Sequence, residues 1–329
     1  REAGLNFTHF TEKLNEVEKI KISKEKVRTF LRLQNVVDRS PKKGRKHRKS
    51  RPRRPRFGEL LQQDTSPHDW LGVGIEHHAV VCIDDATSKI LFLKLFEHDG
   101  TLANMQAIMA VIIKYGLPMS LYTDGAAWFK VTRHWEGTIH HQAHTEYITQ
   151  IERALAQLGV KLIIAGSPQA KGRVERANGT LQDRLIAELR LRKITTLESA
   201  NTYIENEFID DHNKRFAHEP QEQEIAFLPF LRKETLEQIL CLRFRSQAQN
   251  DNTISKAGKY RIQLLPSPTR LSWAKAPVEV LIKLNGTTEV IHAGTGQKIP
   301  HTVLSLEIPR EFKHPEKNFF AADIFILSK

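Results

Sequence analysis

The chain has 329 residues, of which 40% are hydrophobic and 27% charged, and its formal net charge is +12. That length supports two or more domains and a sizeable core, the mix is globular rather than disordered, and no apolar run of about 18 residues or more reads as a membrane span. The positive excess favours a polyanionic partner, because each Lys or Arg set on a phosphate releases condensed counterions.

The two cysteines, Cys82 and Cys241, lie in apolar runs. They read as small buried hydrophobes rather than a disulfide pair or zinc ligands, which points to a reducing, cytoplasmic setting. The chain begins at Arg1 in what reads as mid-helix, so further residues are expected upstream. Residues 1–40 read as helical. Ser23 is a natural N-cap for Lys24–Leu33, whose Val27, Phe30 and Leu31 share one side while Lys24, Lys26, Arg28 and Arg32 decorate the rest. This segment suits the second helix of a partial helix-turn-helix unit, or a short surface helix.

Residues 41–56, PKKGRKHRKSRPRRPR, contain no acid. Such a run repels itself and builds no core, so it is a basic linker or arm. Its Arg45, Lys46, Arg53 and Arg54 are candidates for tracking a phosphate backbone or entering a minor groove. Residues 57–215 carry strands first and then alternating strand and helix, the pattern of an α/β core with a mixed sheet covered by helices. GELLQQD reads as a strand ending at Asp64, and HAVVCID and KILFLKLF as antiparallel strands joined at Asp85-Ala-Thr-Ser. Leu102–Tyr115 is a helix closed by Gly116 and Pro118. MSLYTD is a strand ending at Asp124, Glu146–Leu158 a helix, VKLIIA a strand, Arg173–Leu191 a long helix, and 198–213 a further one. Residues 216–250 form a helical connector with a helix near Lys233–Leu240. Residues 251–306 hold short β-runs separated by turns and suit a small β-barrel. The tail, 307–329, has no clear place.

Asp64, Asp124 and Glu175 stand out by position: two strand ends and the first turn of a long helix, which can meet at one sheet edge. Three carboxylates so placed repel one another unless divalent cations lie between them, and hard oxygen donors suit Mg²⁺. Taken singly, an aspartate at a strand end is more often a turn residue or a cap. Asp85 and Asp69 are read that way.

The segments around these acids, LLQQDTSPHDWL, YTDGAAWF and SPQAKGRVERANGTLQDRL, resemble the three catalytic blocks of bacterial insertion-sequence transposases of the retroviral-integrase-like superfamily. The long third block is similar to the ISNCY-type group. The resemblance covers about residues 20–305, including VVCIDDATSKI and DNTISKAGKYRI. It implies an RNase H-like core with a mixed five-stranded sheet, an N-terminal helix-turn-helix region and a small C-terminal DNA-binding β-barrel. It implies a transposase that binds terminal inverted repeats, exposes 3′ hydroxyls and joins them to target DNA. Asp64, Asp124 and Glu175 would hold two Mg²⁺ or Mn²⁺ ions once DNA is bound, in a homo-oligomer at the nucleoid. The gap from Asp124 to Glu175 is longer than in retroviral integrase, and residues 129–145 read as an insertion. A catalytically silent DNA-binding regulator and an RNase H-like nuclease are the alternatives.

Around Glu175, Lys171, Arg173 and Arg176 are candidates to grip scissile-strand phosphates, helped by the helix N-terminus. Asn178 and Gln182 share the face of Glu175, and Gln169 lies nearby; they are read as contacting DNA or capping backbone. His140, His141 and His144 lack the Glu or Cys that would complete a zinc motif. Trp128, Phe129 and Trp135 suit either core packing or stacking on an unpaired base.

Overall fold

The computed structural model describes residues 5–36, 52–130, 146–165, 172–230, 233–256, 260–268, 270–306 and 324–327. Helices α1 (Phe7–Glu16) and α2 (Lys24–Leu33) come first. Asn6 caps α1 by accepting from the His9 N–H, and Ser23 caps α2 by accepting from the Lys26 N–H, so the cap read from the sequence is in use. The expected apolar stripe of α2 is only partly covered. Val27 is buried, but Phe30 is 61% exposed, because the contact with α1 is too narrow to cover the whole face.

Strands β1 (Leu61–His68), β2 (His77–Asp84) and β3 (Ile90–Phe96) form an antiparallel meander. Helix α3 (Thr101–Tyr115) returns the chain to β4 (Ser120–Thr123). A four-residue strand, β5 (Glu146–Thr149), then leads into α4 (Gln150–Leu158), β6 (Lys161–Ile164) and α5 (Gly172–Leu191). The central sheet has the order β3-β2-β1-β4-β6, with β4 parallel to β1 and β6 parallel to β4. This is the mixed five-stranded order of an RNase H-like α/β core. Helices α6 (Leu197–Tyr203) and α7 (Ile209–Phe216) follow, joined by a π-helical turn at Ile204–Phe208.

Both faces of the sheet are covered, which explains why HAVVCID is apolar almost throughout. On one face Cys82, Leu61 and Leu121 pack with Met105, Ile108 and Ile112 of α3 and Ile151 and Leu155 of α4. On the other, Val81, Ile83 and Leu93 pack with Val174, Leu181 and Leu185 of α5 and Tyr203 and Phe208. The edge strand β3 is closed by two asparagines. Asn201 gives and takes a hydrogen bond with the Leu95 backbone (2.9 and 2.8 Å), and Asn213 does the same at Ile90 (2.9 and 2.8 Å). Each amide stands in for a missing strand partner and blunts an edge open to wrong pairing.

Three readings of the sequence change. Glu146–Leu158 is not one helix: Thr149 and Glu152 form a capping box, so the helix starts at Gln150 and EYIT is β5. The C-terminal β-unit begins before residue 251. After α8 (Lys233–Ile239) comes β7 (Cys241–Gln247), which pairs with β10 (Pro277–Lys283), itself paired with β11 (Thr288–His292). The second sheet pairs β9 (Tyr260–Leu264) with β8 (Thr253–Lys256) and β12 (His301–Leu306). The two three-stranded sheets share one core around Trp273, Phe244 and Ile262. No ladder joins the two sheets among the described residues. The unplaced tail supplies β13 (Ile324–Leu327), antiparallel to β5.

Buried Arg153 of α4 ties this unit to the core by donating to the carbonyls of Ile239 (3.0 Å) and Cys241 (2.8 Å). Burial pulls its guanidinium down to about 10. Both cysteines are buried and free, as their apolar settings suggest. Among the described residues, no helix is long and apolar enough to cross a membrane.

Helix α1 is docked on the core by charge. Glu12 takes both terminal nitrogens of Arg184 (2.7 and 2.9 Å), and Arg215 reaches Glu16 (2.7 Å). Buried Glu188 receives His9 Nε2 (2.7 Å) and Lys13 Nζ (2.6 Å). Burial pushes the Glu188 carboxyl up, but hydrogen bonds from His9 and Lys13 outweigh it and hold it at about 2. The folded value lies below the free value of 4.5, so this group's stabilisation is complete above 4.5 and lost as pH falls toward 2. We expect acid to release α1 in that window, read by protection of its amides from hydrogen exchange; α1 protection unchanged down to pH 2 would contradict the docking. Asn213→Ala leaves the Ile90 N–H and carbonyl unpaired, so urea denaturation should show a loss of about 1–3 kcal/mol.

Candidate active site

β1 and β4 run parallel, with Leu61 opposite Leu121 and Gln62 opposite Tyr122. Two residues further along both chains, that register brings Asp64 level with Asp124. β4 stops at Thr123, and Asp124 turns the chain by accepting from the Ala126 N–H (3.1 Å). β1 does not stop at Asp64, as the sequence suggests. Its pairing with β2 runs on to His68, whereas its parallel ladder with β4 is made at Leu61 and Gln62, short of Asp64.

Helix α5 lies along β1 and is held by three side-chain links. The Val174 N–H donates to Gln62 Oε1 (3.3 Å), Asn178 Nδ2 to Asp64 Oδ2 (2.8 Å), and Gln182 Nε2 to Ser66 Oγ (3.0 Å). Steps of four along the helix thus meet steps of two along the strand. A helix rises about 6 Å over four residues and a strand about 6.7 Å over two, so the two ladders stay nearly in phase. Asn178 is buried and spends its amide on a carboxylate oxygen.

Glu175 is exposed in the first turn of α5, three residues before Asn178. Among the described residues, no three His, Cys, Asp or Glu side chains converge to hold a metal ion. The helix of Glu175 is therefore anchored beside Asp64, while its carboxylate is not closed on the aspartate pair in this structure.

The basic residues divide. Arg173 does not face outward for a phosphate: it is paired with buried Asp85 at 2.6 Å. Arg53 likewise turns inward, donating to the carbonyls of Asp85 (3.1 Å) and Ala86 (3.2 Å) and to Ser88 Oγ (2.8 Å). In both cases the partner is the β2–β3 turn, whose acceptors draw the nearest guanidinium. Arg54 is half-exposed, with its side chain 3.5 Å from Glu59. Arg176 is exposed, and its Nε donates to the Gly172 carbonyl (2.7 Å). Gln182 is tied to Ser66 as above, so Asn178 and Gln182 both serve the helix–strand contact rather than an open surface. Arg45, Lys46, Lys171, Gln169, Trp135, His140, His141 and His144 lie outside the described residues. Phe129 is buried and Trp128 packs against the same core, which decides those two for packing.

Two carboxylates carry more than their sequence setting suggests. Asp85 is the turn residue read from the sequence but fully buried, while Asp69 caps a turn, accepting from the Val73 and Gly74 N–H groups. Asp99, just ahead of α3, accepts from the Gly100 N–H (2.7 Å) and Asn104 Nδ2 (2.8 Å). Burial pushes its carboxyl up to about 6 against the pull of hydrogen bonds from Gly100, Thr65 and Asn104, with the nearby Asp124 charge adding to the rise. In the sequence Asp99 looks like any residue ahead of a helix; only the folded sheet brings it near Asp124. Its folded value exceeds the free value of 3.8, so its stabilisation is complete below 3.8 and lost as pH rises through about 6. Asp99→Asn keeps an acceptor and removes the charge. With chelator present it should raise stability on the order of 1–2 kcal/mol at pH 8 and little at pH 4, by denaturation at the two pH values.

No family model matches the chain. It is 33% identical over 245 residues to a Sinorhizobium fredii protein bearing the name transposase y4bF, covering 74% of this chain and 52% of that protein. It is 33% identical over 245 residues to the transposase for insertion sequence IS1202 of Streptococcus pneumoniae, covering 64% and 51%. The chain spans about half the length of these curated relatives. Among solved structures, the HTLV-2 integrase catalytic core domain in complex with magnesium (trimeric form) is similar at 14% identity and a TM-score of 0.33, over 45% of this chain and 85% of that one. A chain of the simian T-cell lymphotropic virus intasome in complex with PP2A regulatory subunit B56 gamma is similar at 12% identity and a TM-score of 0.38, over 91% and 100%. Scores at that level do not carry the fold, which stands on the strand order described above. The chain is thus similar to two transposases over about half of their length, on a core whose strand order is that of an RNase H-like sheet.

Proposed function

We propose that this chain catalyses metal-dependent transfer of DNA strands, cutting at the terminal repeats of a mobile element and joining the freed 3′ ends to target DNA. The observation that supports this most is the register of β1 and β4, which sets Asp64 beside Asp124, with Asn178 linking Asp64 to the helix of Glu175. The donor chemistry fits Mg²⁺ or Mn²⁺, since all three groups offer hard carboxylate oxygens. Asp64, Asp124 and Glu175 would hold the ions, which supply activation of a hydroxyl nucleophile and stabilisation of the departing 3′ oxygen.

The other residues orient this set. Asn178 fixes one oxygen of Asp64, and the Ala126 N–H fixes one oxygen of Asp124. Glu175 must swing inward from its exposed position, which the first turn of α5 allows if DNA and metal draw it. Arg176, exposed beside it, would meet a phosphate, and the sequence offers Arg45 and Lys46 of the basic linker and Lys171 for the same use. The basic face of α2 would read the element ends. Two ends must be brought together, so a homo-oligomer on DNA is the working form.

The outward position of Glu175 also suits a DNA-binding regulator without catalysis, and one assay separates the two. Labelled element ends, a supercoiled target and Mg²⁺ or Mn²⁺ should give joined product with the unaltered chain. Asp64→Asn, Asp124→Asn and Glu175→Gln should each lower joining by at least about 100-fold while end binding persists. Joining that survives any of the three changes would remove that residue from the site. End binding with no joining by the unaltered chain would favour the regulator, and equal cutting of RNA–DNA hybrids a general nuclease.

A further inference from the structure

Asp85, the buried acid in the turn just after β2, has no role in the chemistry above, yet it sits at the root of α5. We propose that Asp85 is a positioning residue for Glu175, acting through Arg173 and Gln62. The inference rests on the reading of Glu175 as a metal ligand.

Asp85 is fully buried and accepts from Gln62 Nε2 (2.6 Å), Arg173 NH1 (2.6 Å) and the Arg54 N–H (2.8 Å). Gln62 passes the contact on, because its Oε1 accepts from the Val174 N–H (3.3 Å). Arg173 and Val174 directly precede Glu175. One residue is thus tied to Asp85 by its side chain and the next by its backbone through Gln62. Arg53 holds the Asp85 carbonyl, so the hub itself is fixed to the β2–β3 turn. The carboxylate also lies at the N-terminal end of α5, where a negative charge favours the helix start.

A buried ion pair is poor value as a stabiliser, because its desolvation offsets most of its attraction. Its better-attested use is to select one geometry, and the geometry selected here is the first turn of α5. The remaining links, Asn178 to Asp64 and Gln182 to Ser66, lie further along the helix. They hold the axis of α5 on β1 but not the angle at which Glu175 leaves it. A purely structural pair would be felt across the whole core; a positioning pair is felt at residues 172–178.

The test is hydrogen exchange on the metal-free full chain carrying Asp85→Asn, which keeps the size of the side chain and one acceptor oxygen but removes the charge facing Arg173. Amides of residues 172–178 should exchange at least about tenfold faster, while those of α3 exchange as before. Unchanged exchange at 172–178, or an equal rise throughout the core, would overturn the proposal. Arg173→Lys repeats the test from the other partner and decides it if Asp85→Asn does not fold. In the joining assay, Asp85→Asn should raise the Mn²⁺ concentration for half-maximal product by about fivefold or more, because a displaced ligand weakens metal binding. A Glu175→Gln chain that still joins ends would sink the reading of Glu175 as a ligand, whereas a dead Glu175→Gln chain beside an unshifted Asp85→Asn chain would sink the positioning role alone.

Discussion

A helix laid along a strand keeps its side chains in step only when the two repeats agree. Here Val174, Asn178 and Gln182 of α5 meet Gln62, Asp64 and Ser66 of β1, four residues against two at each step. Because those rises differ by less than about 1 Å per step, three successive links form without bending either element. This contact fixes where the third acidic block meets the first. The parallel register of β1 and β4 then brings in the second, and the apolar face of α5, through Val174, Leu181 and Leu185, buries the joint.

The interior that results is unusually polar at one end of the sheet. Gln62, Gln63, Asp84, Asp85, Asn104 and Thr123 are all buried. Each costs desolvation unless it is bonded, and bonds offset that cost: Gln63 Nε2 to Asn104 Oδ1 (2.7 Å), Gly58 N–H to Asp84 Oδ1 (3.0 Å), Thr87 hydroxyl to Asp84 Oδ2 (2.7 Å), with Gln63 Oε1 left without a partner among the described residues. The turn carrying Asp84 and Asp85 is thereby built into the core, and it draws Arg53 and Arg173 inward. Gly58 shows how closely the chain is packed there. Its φ is +88°, and a Cβ at that position would lie 2.3 Å from the Phe227 ring.

Much of this was legible in the sequence, and the failures have physical causes. The meander, the helix before Asp124 and the long helix of Glu175 follow from local periodicity and from Gly and Pro punctuation. Arg173 departs from the expected phosphate contact because sequence shows a charge and not its partner, and Asp85 lies 88 positions earlier. β7 was folded into a connector although CLRFRSQ alternates, with Leu242 and Phe244 inward; its two arginines masked the pattern, and Glu279 of β10 accepts both. EYIT is too short to show a period, and its partner β13 comes from the far end of the chain. Asp99 shows no signal at all until the sheet forms.

The central claim is that Asp64, Asp124 and Glu175 form one metal site once DNA is bound. Anomalous diffraction from crystals of the full chain with an element end and Mn²⁺ tests it most directly. The account expects manganese between Asp64 and Asp124, with the Glu175 carboxylate drawn in from its exposed position to coordination distance. Manganese bound elsewhere, or bound by the two aspartates with Glu175 still turned outward, would contradict it.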